Sequence, residues 1–367
     1  MNTDKNCSSI YIHTPFCIKK CRYCDFLSHR GSEEEYKKYF EHLEKEIKRY
    51  AENEYNTTYF GGGTPSAVNP EYIERVIKKL KISDNAEVTI EVNPGSVNTE
   101  KLKKYAEIGI NRLSIGCQSF EDELLKVTGR IHSGDEAKKC FYDAREAEFK
   151  NINIDLMFAL PGQSMEMLKN SLETAIKLNP EHISIYSLIW EEGTELYNMK
   201  KRGEIFQKEE EEEAEMYEYI IEFLNSKGYE HYEISNFAKK GFESRHNMKC
   251  WRNEEYAGAG LGASGYLNGI RYKNFDEFEK YYNGIEKEES IHAEEEVLTE
   301  NEIEQYKYIL GFRKIIEGVD VRGKKFIEVA EKLEKLNLIE KVDSGNYRLT
   351  KRGIFTANYI FEEFLLY

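Results

Sequence analysis

Six short runs rich in β-branched and aromatic residues punctuate the first two-thirds of the chain: SIYI from Ser9, TTYF from Thr57, VTIEV from Val88, RLSIG from Arg112, INIDLMF from Ile152 and HISIYSL from His182. Between them the apolar positions recur at helical spacing. EEEYKKYFEHLEKEIKRY follows Ser32, and Ser32 with Glu35 has the spacing of a capping box. Another helical stretch runs from Thr99 through Ile108 to Gly109, a glycine placed to end it. Strand runs buried on both faces and alternating with helices predict a parallel sheet. A partial TIM-type barrel and an open doubly wound sheet fit this pattern equally.

The pattern changes after about residue 235. YAGAGLGASGYLNG (256–269) reads as a loop or as tight packing against a barrel. From about Leu298 two helical stretches, NEIEQYKYILGFRKI and KKFIEVAEKLEKL, precede LIEKVDSGNYRLTKRG, which predicts a hairpin turning at Ser344–Gly345. Helix, helix, hairpin is a winged-helix order. The second helix carries three acids against four bases, so a packing or lid role is expected rather than DNA binding. The expected division is 1–235 as a barrel, 236–295 as a Gly-rich connection packed on it, and 296–367 as a winged-helix-like unit.

Charge and cysteine usage narrow the setting. The 367 residues carry a net charge of −15, which disfavours nucleic acid as a partner. The run KEEEEEAEMYEYIIEFL from Lys208 is most simply a helix with a solvated acidic face. No apolar run is long enough to cross a bilayer, and MNTDKNCSS lacks the features of a signal peptide. Of seven cysteines, Cys7, Cys117, Cys140 and Cys250 are scattered, which suits a reducing cytosol.

The other three, Cys17, Cys21 and Cys24, form C-x3-C-x2-C directly after the first strand. Three thiolates on a tight loop suit three corners of a cuboidal 4Fe–4S cluster whose fourth iron is left for an exogenous ligand, such as S-adenosylmethionine. A zinc ion completed by His13 or His29 is the alternative. Other polar features follow the ends of other strands: GGGTP (Gly61–Pro65), Glu91, Gln118 and Asp155. In a parallel β/α fold these ends share one face, so the features converge on one mouth. Consecutive glycines let backbone approach a ligand closely. Asp155, set among Ile154, Leu156 and Met157, requires a partner, and Arg130 is placed to offset it or a ligand carboxylate.

The runs YIHTPFCIKKCRYCDF, YFGGGTPS, IEVNPGS, NRLSIGCQSF, NIDLMFALPGQ and YEISNFA resemble radical SAM proteins related to oxygen-independent coproporphyrinogen III oxidase, and more narrowly the HemW-type haem chaperones. The resemblance extends over nearly the whole chain. It implies a partial (β/α)6 barrel with a small C-terminal unit, a 4Fe–4S cluster on Cys17, Cys21 and Cys24, and bound S-adenosylmethionine. It places Tyr11 and Tyr23 beside the cofactor, Gly62, Gly63 and Thr64 on its methionine moiety, and Glu91, Gln118, Arg130 and Asp155 along the remainder. Phe26 stands where the porphyrinogen-oxidising relatives have a further cysteine, and sixteen residues precede Cys17; both favour the chaperone branch. An element tied to haem in that branch reads HNMKCW here, with Cys250 replacing tyrosine and Ser264 standing where many relatives have histidine. If RHNMKCW is helical, His246 and Cys250 lie on one face and present two ligands to haem. The expected partners are haem or a porphyrinogen, haem-receiving apo-proteins at the membrane surface or elsewhere, and a reductant such as flavodoxin or ferredoxin. The expected location is the cytoplasm, with peripheral contact to the membrane included. The enzymatic alternatives are oxidative decarboxylation of coproporphyrinogen propionates and radical chemistry on another tetrapyrrole.

Overall fold

The computed structural model describes residues 7–366. The six runs form β1 (Ser9–Thr14), β2 (Glu54–Gly62), β3 (Lys81–Val92), β4 (Arg112–Gln118), β5 (Ile152–Phe158) and β6 (His182–Ser187). They lie side by side in chain order and are all parallel. A doubly wound sheet would reverse direction at a switch point. This one does not, which decides for the barrel-type alternative. Further along, β7 (Glu230–Glu233) pairs antiparallel with β8 (Asn236–Ala238), and β8 pairs antiparallel with β6. At the opposite edge β9 (Ala257–Ala259) lies parallel to β1. Among the described residues β7 and β9 do not pair, so the barrel stays open.

The helices form where their caps require. Ser32 and Glu35 make the reciprocal capping box of helix Glu33–Ile47. Helix Thr99–Glu107 stops before Gly109, whose φ is +97°.

Strand parity sorts the sheet. Ile10, Ile12, Phe60, Ile90, Leu113, Ile115, Ile154 and Ile185 face the helices in one continuous apolar core. The alternate positions Tyr59, Glu91, Ser114, Asp155 and Tyr186 face the interior and line a cavity. The strands are therefore buried on both faces, but only the helix side is apolar. Typical closed barrels fill this interior with branched aliphatic side chains.

The Gly-rich segment is more ordered than a loop. It supplies β9 and then β10 (Ser264–Leu267), which with β11 (Ile270–Asn274) and β12 (His292–Val297) makes a small antiparallel sheet. Gly258 is required there, because a Cβ at that position would sit 2.0 Å from the Ser264 carbonyl oxygen.

The C-terminal segment has its own hydrophobic cluster, which includes Tyr308, Phe312, Phe326, Leu333, Ile360 and Phe364. Helices Glu300–Gly311, Lys324–Lys335 and Ala357–Leu365 surround it, with a hairpin of β13 (Ile339–Lys341) and β14 (Tyr347–Leu349). The unit docks on the barrel where Ile315 N–H donates to the Tyr232 carbonyl at 3.0 Å and Ile234 packs against the cluster.

Gly258→Val forces a side chain into main chain that cannot yield. The urea midpoint should fall by the equivalent of about 1–3 kcal/mol, and an unchanged midpoint would show that the β9–β10 turn is loosely packed.

Candidate cluster and cofactor site

Main-chain hydrogen bonds fix the cysteine loop over the mouth of the barrel. Gly63 N–H donates to the Thr14 carbonyl at 2.9 Å and Thr64 N–H to the Phe16 carbonyl at 2.7 Å, tying the loop to the end of β2. Cys17 N–H donates to the His29 carbonyl and His29 N–H to the Pro15 carbonyl, both at 2.8 Å, closing the loop on itself. Arg22 N–H reaches the Thr128 carbonyl at 2.9 Å, and Leu196 N–H reaches the Arg22 carbonyl at 2.8 Å. The loop is thus held by segments that follow β1, β2, β4 and β6.

Beneath it lies a cavity of about 660 Å³. Cys17, Cys21, Cys24, Tyr23, Gly62, Gly63, Thr64, Glu91, Gln118, Arg130 and Asp155 all line it. The expected convergence of strand ends is therefore present. Cys17 Sγ lies 3.3 Å from Thr64 Oγ1, and Arg130 Nη1 donates to Cys21 Sγ at 3.4 Å. The other end of the same guanidinium donates to the Gly116 carbonyl. Burial pushes the Cys24 thiol up to about 11, and the neighbouring Cys21 and Cys17 add to this. Loading of metal must therefore displace protons from this loop.

Glu91 accepts from Tyr59 OH at 3.0 Å and from Gly62 N–H at 3.2 Å. Burial, then the nearby Asp155 charge, push its carboxyl up to about 7. Asp155 accepts from Ser114 Oγ at 3.0 Å and Asn153 Nδ2 at 2.8 Å. Gln118 has φ of +65° beside a register shift in β4, and its Oε1 accepts from Tyr186 OH at 3.0 Å.

Several expectations are revised. The partners of Asp155 are hydroxyl and amide groups of the protein, and Arg130 pairs with the cysteine loop instead. The amides of Gly62, Gly63 and Thr64 are already committed to protein groups. A Cβ on Gly63 would meet the Phe16 carbonyl oxygen at 2.7 Å, so this glycine admits the cysteine loop itself. Tyr11 does not line the cavity; its ring backs Tyr59 at 6.1 Å and its hydroxyl meets His13 Nδ1 at 3.0 Å. His13 Nε2 lies 3.0 Å from the Leu27 carbonyl oxygen, so neither nitrogen is free to complete a zinc site. The ring of His29 packs on Phe278 at 5.1 Å.

His246 and Cys250 do share a short helix, Arg245–Trp251, but neither lines the cavity. His246 Nδ1 is 3.1 Å from Thr57 Oγ1 and its ring lies 5.2 Å from Tyr59; burial pushes it down to about 3. Cys250 is surrounded by Arg271, Glu254 and Tyr256. A pair of haem ligands presented from one face is not what this helix offers. Its neighbouring positions do reach cavities: Trp251 the large one and Asn247 a smaller one. Arg112, Tyr186, Asn247 and Arg313 went unrecognised in the sequence. Strand parity carried a signal for Arg112, two and four residues before the inward-facing Ser114 and Gly116.

Residues 11–175 match the model of the radical SAM superfamily. The chain is 39% identical over 372 residues to a protein of Lactococcus lactis named haem chaperone HemW, covering 98% of this chain and 97% of that one. It is 39% identical over 379 residues to the haem chaperone HemW of Bacillus subtilis, covering 97% and 99%. The chain belongs to the HemW family of radical SAM proteins. In shape it is similar to coproporphyrinogen III oxidase HemN of Escherichia coli, with a TM-score of 0.83, 22% identity, and 98% and 90% of the two chains covered. Membership in the radical SAM superfamily implies a 4Fe–4S cluster and S-adenosylmethionine. The donors fit: three cysteines on one cavity wall, with a guanidinium against one sulfur and a hydroxyl against another.

Protein purified anaerobically should hold about four irons and four sulfides per chain. Alanine at Cys17, Cys21 or Cys24 should abolish them, whereas Cys7→Ala and Cys140→Ala should not; zinc in place of iron would refute the assignment. A second test uses Glu91. Because its carboxyl titrates near 7 when folded, above the ordinary 4.5, the folded state retains a proton that the unfolded state releases. The stability from this group is therefore full below about pH 4.5 and declines as the pH rises through 7. The melting temperature of Glu91→Gln relative to the unmodified protein should rise from pH 5 to pH 8, both measured without S-adenosylmethionine. A pH-independent difference would mean that Glu91 is solvated.

Proposed function

We propose that the protein is a haem chaperone that binds a 4Fe–4S cluster and S-adenosylmethionine and delivers haem to apo-proteins. The observation that carries this is similarity from end to end, C-terminal unit included, to two proteins named haem chaperones. The cavity supports it. From the cysteine loop it extends to Trp251, over which Arg313 of the C-terminal unit stacks at 4.4 Å, so an aromatic and a cationic wall face the same space. Such walls suit a flat, anionic tetrapyrrole.

In this reading Cys17, Cys21 and Cys24 hold the cluster, and Arg130 balances its charge. Gly62, Gly63 and Thr64 border the methionine moiety, with Glu91, Gln118 and Asp155 beyond them and Tyr23 alongside. When bound, the cluster and S-adenosylmethionine together supply one-electron cleavage of a sulfonium C–S bond. Phe26, 64% exposed beside the loop, stands in place of a further cysteine. A small reductant protein such as flavodoxin or ferredoxin is the implied electron donor. No helix among the described residues is long and apolar enough to cross a membrane, and the proposed location is cytoplasmic with peripheral membrane contact.

Anaerobically reconstituted protein should bind haem and pass it to an apo-cytochrome, followed by absorbance. It should form no decarboxylated product from coproporphyrinogen III with reductant and S-adenosylmethionine. Product formation with turnover would replace the chaperone by an oxidase.

A further inference from the structure

Below the main cavity is a chamber of about 180 Å³, sharing Ser114, Asp155 and Tyr186 with it and adding Arg112, Asn153 and Asn247. It is smaller than the ~300–1,000 Å³ that usually encloses a whole ligand, so it suits an arm of one. Arg112 is 2% exposed. Among the described residues its guanidinium makes no hydrogen bond or ion pair, and Nε is buried without a partner. An unpaired buried cation is costly, and natural proteins retain one where an anion meets it.

The neighbouring acids are already engaged. Asp155 accepts from Ser114 and Asn153 at 3.0 and 2.8 Å, and the Arg112 charge acts on it across the chamber without a hydrogen bond between them. Glu87 accepts the N–H groups of Arg245 and His246 at 3.1 and 3.0 Å, capping the helix that carries Asn247. The guanidinium is therefore left for something from outside, and its planar fork matches a carboxylate.

We propose that Arg112 and this chamber seat a carboxylate arm of the cargo, a propionate of the tetrapyrrole; this rests on the haem-carrier reading above. The other source of a carboxylate is S-adenosylmethionine. Its methionine end belongs at the cysteine loop, where Arg130 holds the Gly116 carbonyl. Arg112 lies four residues deeper on β4, roughly 13 Å along the strand. That depth favours the tetrapyrrole.

The test uses the full chain with its cluster reconstituted, and titrates haem, haem dimethyl ester and S-adenosylmethionine into the unmodified protein and Arg112→Met. The unmodified protein should bind haem at least tenfold more tightly than the ester, in which both propionates are capped. Arg112→Met should lose at least tenfold in haem affinity and none for the ester or S-adenosylmethionine. Its iron content and melting temperature should be retained, since an unpaired charge has been removed. Equal affinity of the unmodified protein for haem and ester overturns the proposal without any mutation, so a variant that fails to fold does not protect it. Weaker S-adenosylmethionine binding with haem unchanged also overturns it, giving the chamber to the methionine carboxylate. Haem binding insensitive to both changes sinks this proposal alone. No binding of haem or ester by the unmodified protein sinks the carrier reading with it.

Discussion

Two main-chain hydrogen bonds, from Gly63 to Thr14 and from Thr64 to Phe16, join the turn after β2 to the chain leaving β1, and the site depends on that junction. They set where Cys17 enters the mouth and leave no room for a side chain at Gly63. The cysteines, the glutamate that accepts from Gly62 and the arginine that meets Cys21 take their positions from it. A binding turn and a cysteine loop are thus one structural unit.

The interior imposes a second constraint. A parallel sheet with one polar face encloses groups that water would otherwise solvate, and each must find a partner. His182 does so between Asn153 and Tyr232, both at 2.7 Å, and Asn153 passes the chain to Ser114 and Asp155. The network shapes the cavity by leaving hydroxyls and amides in fixed directions. Arg112 is the conspicuous group outside it.

Periodicity and capping signals sufficed for the six parallel strands and helix Glu33–Ile47, because those elements obey local rules. The cysteine spacing and the residues ending each strand located the mouth for the same reason: parallel topology places strand ends together. Other features depended on tertiary context. That β9 is a strand follows from its pairing with β1, where Ile10 meets Ala257 from far along the chain, a contact no window of sequence contains. That His246 is committed to Thr57 follows from a helix closing on β2 across distant sequence. Arg313 was hidden because it enters the cavity from the C-terminal unit.

The pairing of β9 with β1 also orders events in time. The strand that covers the outer edge of Ser9–Thr14 is synthesised only when the chain has reached Ala257–Ala259. At ribosomal rates this leaves the first strand with one bare edge for on the order of tens of seconds. An uncovered edge is a template for wrong pairing, and the cysteine loop hangs from that strand. Iron loaded onto a nascent chain would meet a loop whose supporting strand has one neighbour of two. Cluster insertion is therefore best supported once Ala257–Ala259 has emerged and paired, and slow elongation before that point lengthens the exposure of the bare edge.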